Sequence, residues 1–247
     1  MDRRIRGLIL PGLLTLAGFG VLVGLGAWQV ERMGAKQRLI DRVEARLTQP
    51  AVPLPPESEW PGLQSKAVDY LKVSLSGRFL HDKEARLNGF LSGSRTGDTT
   101  AGFFILTPLV LPDGATVIVN RGFVPTALAE PSTRKAGQVD GTITVTGLLR
   151  PPEMPGYFVP ANDPARNIWF SRKPDEIAAA FGLVRAAPFV VEADATANPG
   201  GWPRGGNTLV SFPNNHLQYA LTWFALAIAI LAVFFAFARQ RLRAPPA

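Results

Sequence analysis

The chain has no cysteine. That excludes disulfides, cysteine-ligated zinc, iron–sulfur clusters and thiol-based copper delivery, but leaves the redox compartment open, because an oxidising compartment does not require disulfides. Histidine is nearly as scarce: His81 and His216 are the only two. A zinc site takes three or four ligands, which two distant histidines do not supply. A Ser-His-Asp site would have to use His81 beside Asp82, and no nucleophile-elbow motif accompanies it. No catalytic constellation is legible, so the chain reads as a non-enzyme. Charged residues are also few, 18% against 47% hydrophobic, which in 247 residues fits two membrane spans plus one extramembrane domain. The net charge of +7 does not point to nucleic acid, because many of the basic residues flank the hydrophobic runs, where they set topology. Gly89 to Asp98 reads as a flexible loop and lacks the spacing of a dinucleotide or phosphate loop.

Two long apolar runs stand at the ends. Gly7 to Val30 carries no charge and is long enough to span a bilayer with some tilt. Gly24-Leu25-Gly26 resembles a signal-peptidase site, yet the run is longer than the apolar region of a signal peptide. It contains Gly20-x-x-x-Gly24, which predicts a close approach to a second helix through Ala225, Ala229, Ala232 and Ala236. Trp28 reads as an interfacial anchor. The second run extends from Leu217 to Phe237, which at about 1.5 Å per residue crosses a bilayer core. Arg239, Arg241 and Arg243 follow it, with no basic residue back to Arg204. The positive-inside rule therefore places the C-terminus in the cytoplasm, and two spans place the N-terminus there too. The expected order is a cytoplasmic start (1–6), a first span (7–30), an amphipathic helix and proline-rich linker (31–56), an extracytoplasmic domain (57–213), a second span (214–238) and a basic tail (239–247). Ala35 to Leu47 sets charged residues around the apolar stripe Leu39, Ile40, Val43 and Leu47, as a stalk packing on the domain would.

The middle of the chain predicts a β-rich α+β domain, mainly antiparallel. Candidate strands are Val68–Leu75, Glu84–Leu91, Phe103–Val110, Ala115–Asn120, Thr142–Leu148, Ile168–Ser171 and Phe189–Glu192. Pro174 to Phe181 predicts a short helix, with proline and acids at its start and Gly182 beyond its end. Arg121 in Asn120-Arg121-Gly122 at the end of its strand could grip a carboxylate or phosphate, or hold a tight turn. His81 reads as an exposed strand-end residue.

Attention falls on the entrance to the last span. At helical spacing His216, Tyr219, Ala220, Trp223 and Ala227 share one stripe, while Leu217, Leu221, Phe224, Ile228 and Leu231 face the other way, as lipid would want. One reading of His216 is a polar residue at the membrane surface, bonded to loop backbone near Asn214 and Asn215. The other is a ligand: ionisable groups at membrane depth are functional suspects, and a neutral imidazole is an axial ligand for haem iron. Tyr219 and Trp223 would then flank a flat macrocycle, with Trp28 in the same leaflet.

Three segments carry a resemblance: Leu25-Gly-Ala-Trp-Gln-Val-Glu-Arg32, Val119-Asn-Arg-Gly-Phe-Val-Pro125 and Asn214-Asn-His-Leu-Gln-Tyr-Ala-Leu-Thr-Trp-Phe224. With Gly147-Leu-Leu-Arg150 and Ile168-Trp-Phe170 in order between them, the chain resembles the Surfeit family of cytochrome c oxidase assembly proteins over nearly its whole length. Phe123 stands where that family commonly has tryptophan, keeping a ring and losing the indole donor. The resemblance implies a role in maturing haem-copper (aa3-type) oxidase at or near haem a delivery to subunit I, with His216 as candidate iron ligand. Its implied partners are oxidase subunit I, haem a synthase and the lipid bilayer, with a homo-oligomer left open. The alternative is a scaffold that holds subunit I without touching haem. With no Arg- and Ser-rich transit region before the first span, a bacterial cytoplasmic membrane is expected, with the domain in the periplasm.

Overall fold

The computed structural model describes residues 3–64, 68–92, 99–154, 156–207 and 214–243. They form two compact units, one from residues 1–44 and 211–247 and the other from residues 45–210.

The first unit pairs α1 (Arg3–Thr48) with α3, the last helix (His216–Arg243). The first span and the amphipathic segment after it are thus one continuous helix. Both helices are long and apolar enough to cross a membrane. They run antiparallel. A Cβ on Gly12 would lie 3.3 Å from the Phe234 ring, one on Gly18 would lie 3.0 Å from Ile230 Cδ1, and Gly26 packs directly against the Phe224 ring. This corrects two expectations. Gly20 and Gly24 have nothing within 4 Å, and Ala225, Ala229, Ala232 and Ala236 are exposed, so the small-residue stripes face away from the helix contact. Phe224 belongs to that contact, because the missing Cβ of Gly26 opens a socket for its ring. The seam on α3 runs through the buried Ala220 and Ala227.

The second unit is a β-domain built from β1 (Val52–Pro53), β2 (Lys72–Phe79), β3 (Ala85–Ser92), β4 (Thr99–Val110), β5 (Thr116–Pro125), β6 (Ile143–Arg150), α2 (Pro174–Phe181) and β7 (Ala186–Ala193). The sheet order is β1-β2-β6-β7-β5-β4-β3, and a further pairing of β2 with β4 closes it. Pairings are antiparallel except β1 with β2 and β5 with β7. Strand alternation then makes two cores. Val117 and Val119 of β5 point to one core with Val73, Leu75, Leu109, Leu149, Phe189 and Val191. Ile118 points to the other with Leu87, Leu106, Trp169, Ile177 and Val190. Each fully buried side chain of this size is worth about 1.5–3 kcal/mol. Helix α2 covers the second core. Pro174 opens it, Asp175 and Glu176 occupy its first turn, and Gly182 at φ 59° ends it by donating to the Ala178 and Ala179 carbonyls.

Several strand expectations shift. Residues 68–71 precede β2, since Tyr70 takes φ 65° and turns the chain. Ile168 to Ser171 is no strand: Trp169 makes a single bridge to Leu87 while its ring fills the second core. Gly89 to Ser92, expected in a loop, completes β3 by pairing with β4, and the rest of that loop, 93–98, lies outside the described residues. The strand expected to stop at Asn120 runs on to Pro125. Gly122 permits this at φ 118°, where a Cβ would collide with the Arg204 carbonyl.

Candidate functional site

Both histidines are held by groups that settle which nitrogen carries the proton. His216, half-buried at the start of α3, has Nδ1 2.7 Å from Gln29 Oε1 of α1. An amide oxygen can only accept, so Nδ1 carries a hydrogen, and in the neutral ring Nε2 keeps its lone pair. Beside it, Asn214 Nδ2 donates to the Met33 carbonyl at 3.3 Å, one turn along α1 from Gln29. These contacts tie the mouth of α3 to the upper part of α1. Among the described residues the side-chain bond of His216 runs between helices, to Gln29.

Of the other residues expected at this site, Trp223 is half-buried on the stripe that also carries Ala220 and Ala227. Tyr219 is 56% exposed and Trp28 50% exposed, the latter with the Arg32 guanidinium 5.9 Å from its ring centroid. Gln29 was missed from the sequence. Its signal was there: one amide within a run free of charge, one residue past the tryptophan that drew attention.

The residues suit a haem by the chemistry of the donor set. A neutral imidazole with a bare Nε2 is an axial ligand, and the α3 stripe next to it is apolar and aromatic. Among the described residues no three His, Cys, Asp or Glu side chains gather as a metal site built from protein alone would require. An iron already held in a macrocycle needs only axial ligands.

In the β-domain, His81 is half-buried rather than exposed. Its Nε2 lies 2.9 Å from the Val139 carbonyl and its Nδ1 3.4 Å from Arg121 Nη1. Its proton therefore sits on Nε2, the opposite tautomer from His216. Arg121, 2% exposed, donates to the Gly137 carbonyl, lies 3.6 Å from Glu84 and has its guanidinium 4.7 Å from the Phe79 ring centroid. Arg134 grips the same Glu84 through both nitrogens, at 3.2 and 2.5 Å. Burial pushes the Arg121 guanidinium down to about 10, opposed by Glu84 and reinforced by Arg134. Arg121 thus serves as a clasp: it pins the segment around Gly137 and Val139 to one end of the sheet. On the opposite face, a cavity of about 380 Å³ is lined by Asn88, Asn120, Arg150, Arg172, Glu192 and Phe170. Its charges are spent on each other, Arg150 pairing with Asp69 and Glu192, and Arg172 with Glu153 and Glu192.

A model of the SURF1 family matches residues 16–228, which include Gln29, Arg121, His216 and Trp223. The chain belongs to the SURF1 family. Surfeit locus protein 1 of Homo sapiens is 36% identical over 238 residues, covering 90% of this chain and 75% of that protein. Surfeit locus protein 1 of Xenopus tropicalis is 35% identical over 216 residues (83% and 68%), and a SURF1-like protein of Monosiga brevicollis 36% over 244 (92% and 88%). SURF1-family proteins are cytochrome c oxidase assembly factors. In this SURF1 member the phenylalanine at 123 is fully buried and meets Phe104 edge-on at 5.5 Å between ring centroids. Its place is held by ring packing, and its backbone N–H is satisfied by the Arg204 carbonyl at 2.9 Å.

Proposed function

We propose that this chain is a non-catalytic assembly factor for haem-copper cytochrome c oxidase, binding haem a and promoting its delivery to subunit I. The observation that carries the reading is His216. It stands at the mouth of a membrane-length helix with Nδ1 engaged by Gln29, so Nε2 is left for iron. In this reading His216 supplies an axial ligand, and Trp223, Tyr219 and Trp28 offer aromatic surface to the macrocycle. The haem brings its own redox and ligand chemistry; the protein holds, orients and releases it. A single protein ligand at a helix end suits a carrier better than a closed site, because the cargo must leave. The domain 57–213 faces the periplasm of a bacterial cytoplasmic membrane, where it docks subunit I or the haem a synthase.

The test is an absorption spectrum of the full chain purified from cells that make haem a, beside His216→Ala. A haem a signal in the parent, lost in a variant of unchanged circular dichroism, is the expected result. No signal in the parent with haem a supplied in excess would leave a scaffold for subunit I as the function. A signal that survives the substitution would move the ligand elsewhere.

A further inference from the structure

We infer that Gln29 is the positioning residue of the His216 site: its amide oxygen holds the imidazole in the Nδ1–H tautomer and so presents the Nε2 lone pair as the ligand. The inference deepens the haem reading and rests on it for the identity of the cargo, but its geometric content concerns only two side chains of this protein. The neutral histidine side chain in water prefers the proton on Nε2, the form in which Nε2 cannot bind iron without first losing it. A half-buried acceptor at Nδ1 reverses that preference, since which ring nitrogen is available is set by the bond the other makes. The 2.7 Å contact spans two helices, so it fixes the ring's orientation as well as its tautomer. Gln29 lies on the α1 face that carries the Gly26–Phe224 contact and the Met33–Asn214 bond. The acceptor is also neutral. A neutral amide orients the imidazole without placing a counter-charge beside it, which suits a ligand that must let go.

The chain offers its own control, because its only other histidine, His81, is held by a carbonyl at Nε2 and has the opposite tautomer. The experiment is a long-range ¹H–¹⁵N correlation spectrum of the full chain, labelled at histidine and reconstituted in nanodiscs without haem, with the two rings assigned through His216→Ala. The parent should show one Nδ1–H ring, His216, and one Nε2–H ring, His81. Gln29→Leu should move His216 to Nε2–H or to a tautomeric mixture and leave His81 unchanged. Gln29→Glu, which keeps an acceptor oxygen, should keep Nδ1–H. An Nε2–H ring at position 216 in the parent, or a tautomer indifferent to Gln29→Leu, overturns the inference. Haem a titration of the same samples separates it from the function: Gln29→Leu should weaken binding by about 10-fold to 100-fold, the usual cost of losing the partner of a ligating histidine, with Gln29→Glu restoring most of it. Haem a binding that needs His216 but ignores Gln29→Leu would sink the positioning role and keep the carrier. The expected tautomers with no haem a binding would keep the positioning role and sink the carrier.

Discussion

At the scale of single residues, the least replaceable group in the domain is Glu84, one carboxylate buried between two guanidiniums. Arg134 takes both of its oxygens, and Arg121 stands at 3.6 Å. Burying three charges is worthwhile only while each keeps its partners; removing one leaves an uncompensated charge away from water. Arg134→Met strips Glu84 of its direct hydrogen bonds, and the expected loss of stability is about 3–5 kcal/mol. Chemical denaturation of the full chain in mild detergent, followed by fluorescence of the buried Trp60 and Trp169, measures it. A loss below about 1 kcal/mol, the level of an exposed pair, would mean that the cluster holds nothing together. His216 follows the opposite logic. Among the described residues its side-chain partner, Gln29, takes Nδ1, so the ring is oriented while the other nitrogen stays available.

At the scale of elements, the helix pair is organised by glycines that admit side chains from the facing helix rather than by backbones in contact. Gly26 receives Phe224, Gly18 faces Ile230 and Gly12 faces Phe234. Without a hydrophobic effect between helices in lipid, such packing carries much of their association. Gly26→Leu should therefore separate the pair near His216, whereas Gly20→Leu with Gly24→Leu should leave it unchanged. The natural absence of cysteine makes the measurement clean: a Gly18→Cys, Ile230→Cys version should couple through a short bis-maleimide, with the yield reduced several-fold by Gly26→Leu alone. Equal yields in both backgrounds would show that the Gly26–Phe224 contact does not hold the pair. In the β-domain the comparable device is β5. It runs through Gly122 without breaking, and strand alternation sets Asn120 and Arg121 on opposite faces.

At the scale of the whole molecule, two terminal helices of membrane length bracket one closed sheet. By the positive-inside rule, the Arg239, Arg241 and Arg243 cluster predicts that both termini lie in the cytoplasm. Two exposed positions test that topology: Lys135, in the domain, and Arg243, at the end of α3. In spheroplasts, Lys135→Cys should react with a membrane-impermeant maleimide at once, and Arg243→Cys only after permeabilisation. The reverse pattern would turn the protein over and put the domain in the cytoplasm.

Composition and pattern were enough for what depends on solvent. Charge-free runs of membrane length, the arginines after the second, alternation in Ile143–Leu148 and the bounds of α2 all reflect where water is and where it is not, and a linear chain displays that directly. What only the tertiary structure decided depends on neighbours distant in sequence. Gly20 and Gly24 have the spacing of a helix contact, yet Gly12, Gly18 and Gly26 make it, because the face a helix uses is set by the partner's side chains as well as its own. Arg121 offered two readings, a grip on a carboxylate or phosphate and a tight turn, and the structure shows instead a clasp on the Gly137 carbonyl beside the buried Glu84, which Arg134 holds from elsewhere in the chain. Gln29 gained meaning only when residue 216 was brought to it. A hydrogen bond between residues so far apart in the chain leaves no periodic trace, and the fold alone brings its two ends together.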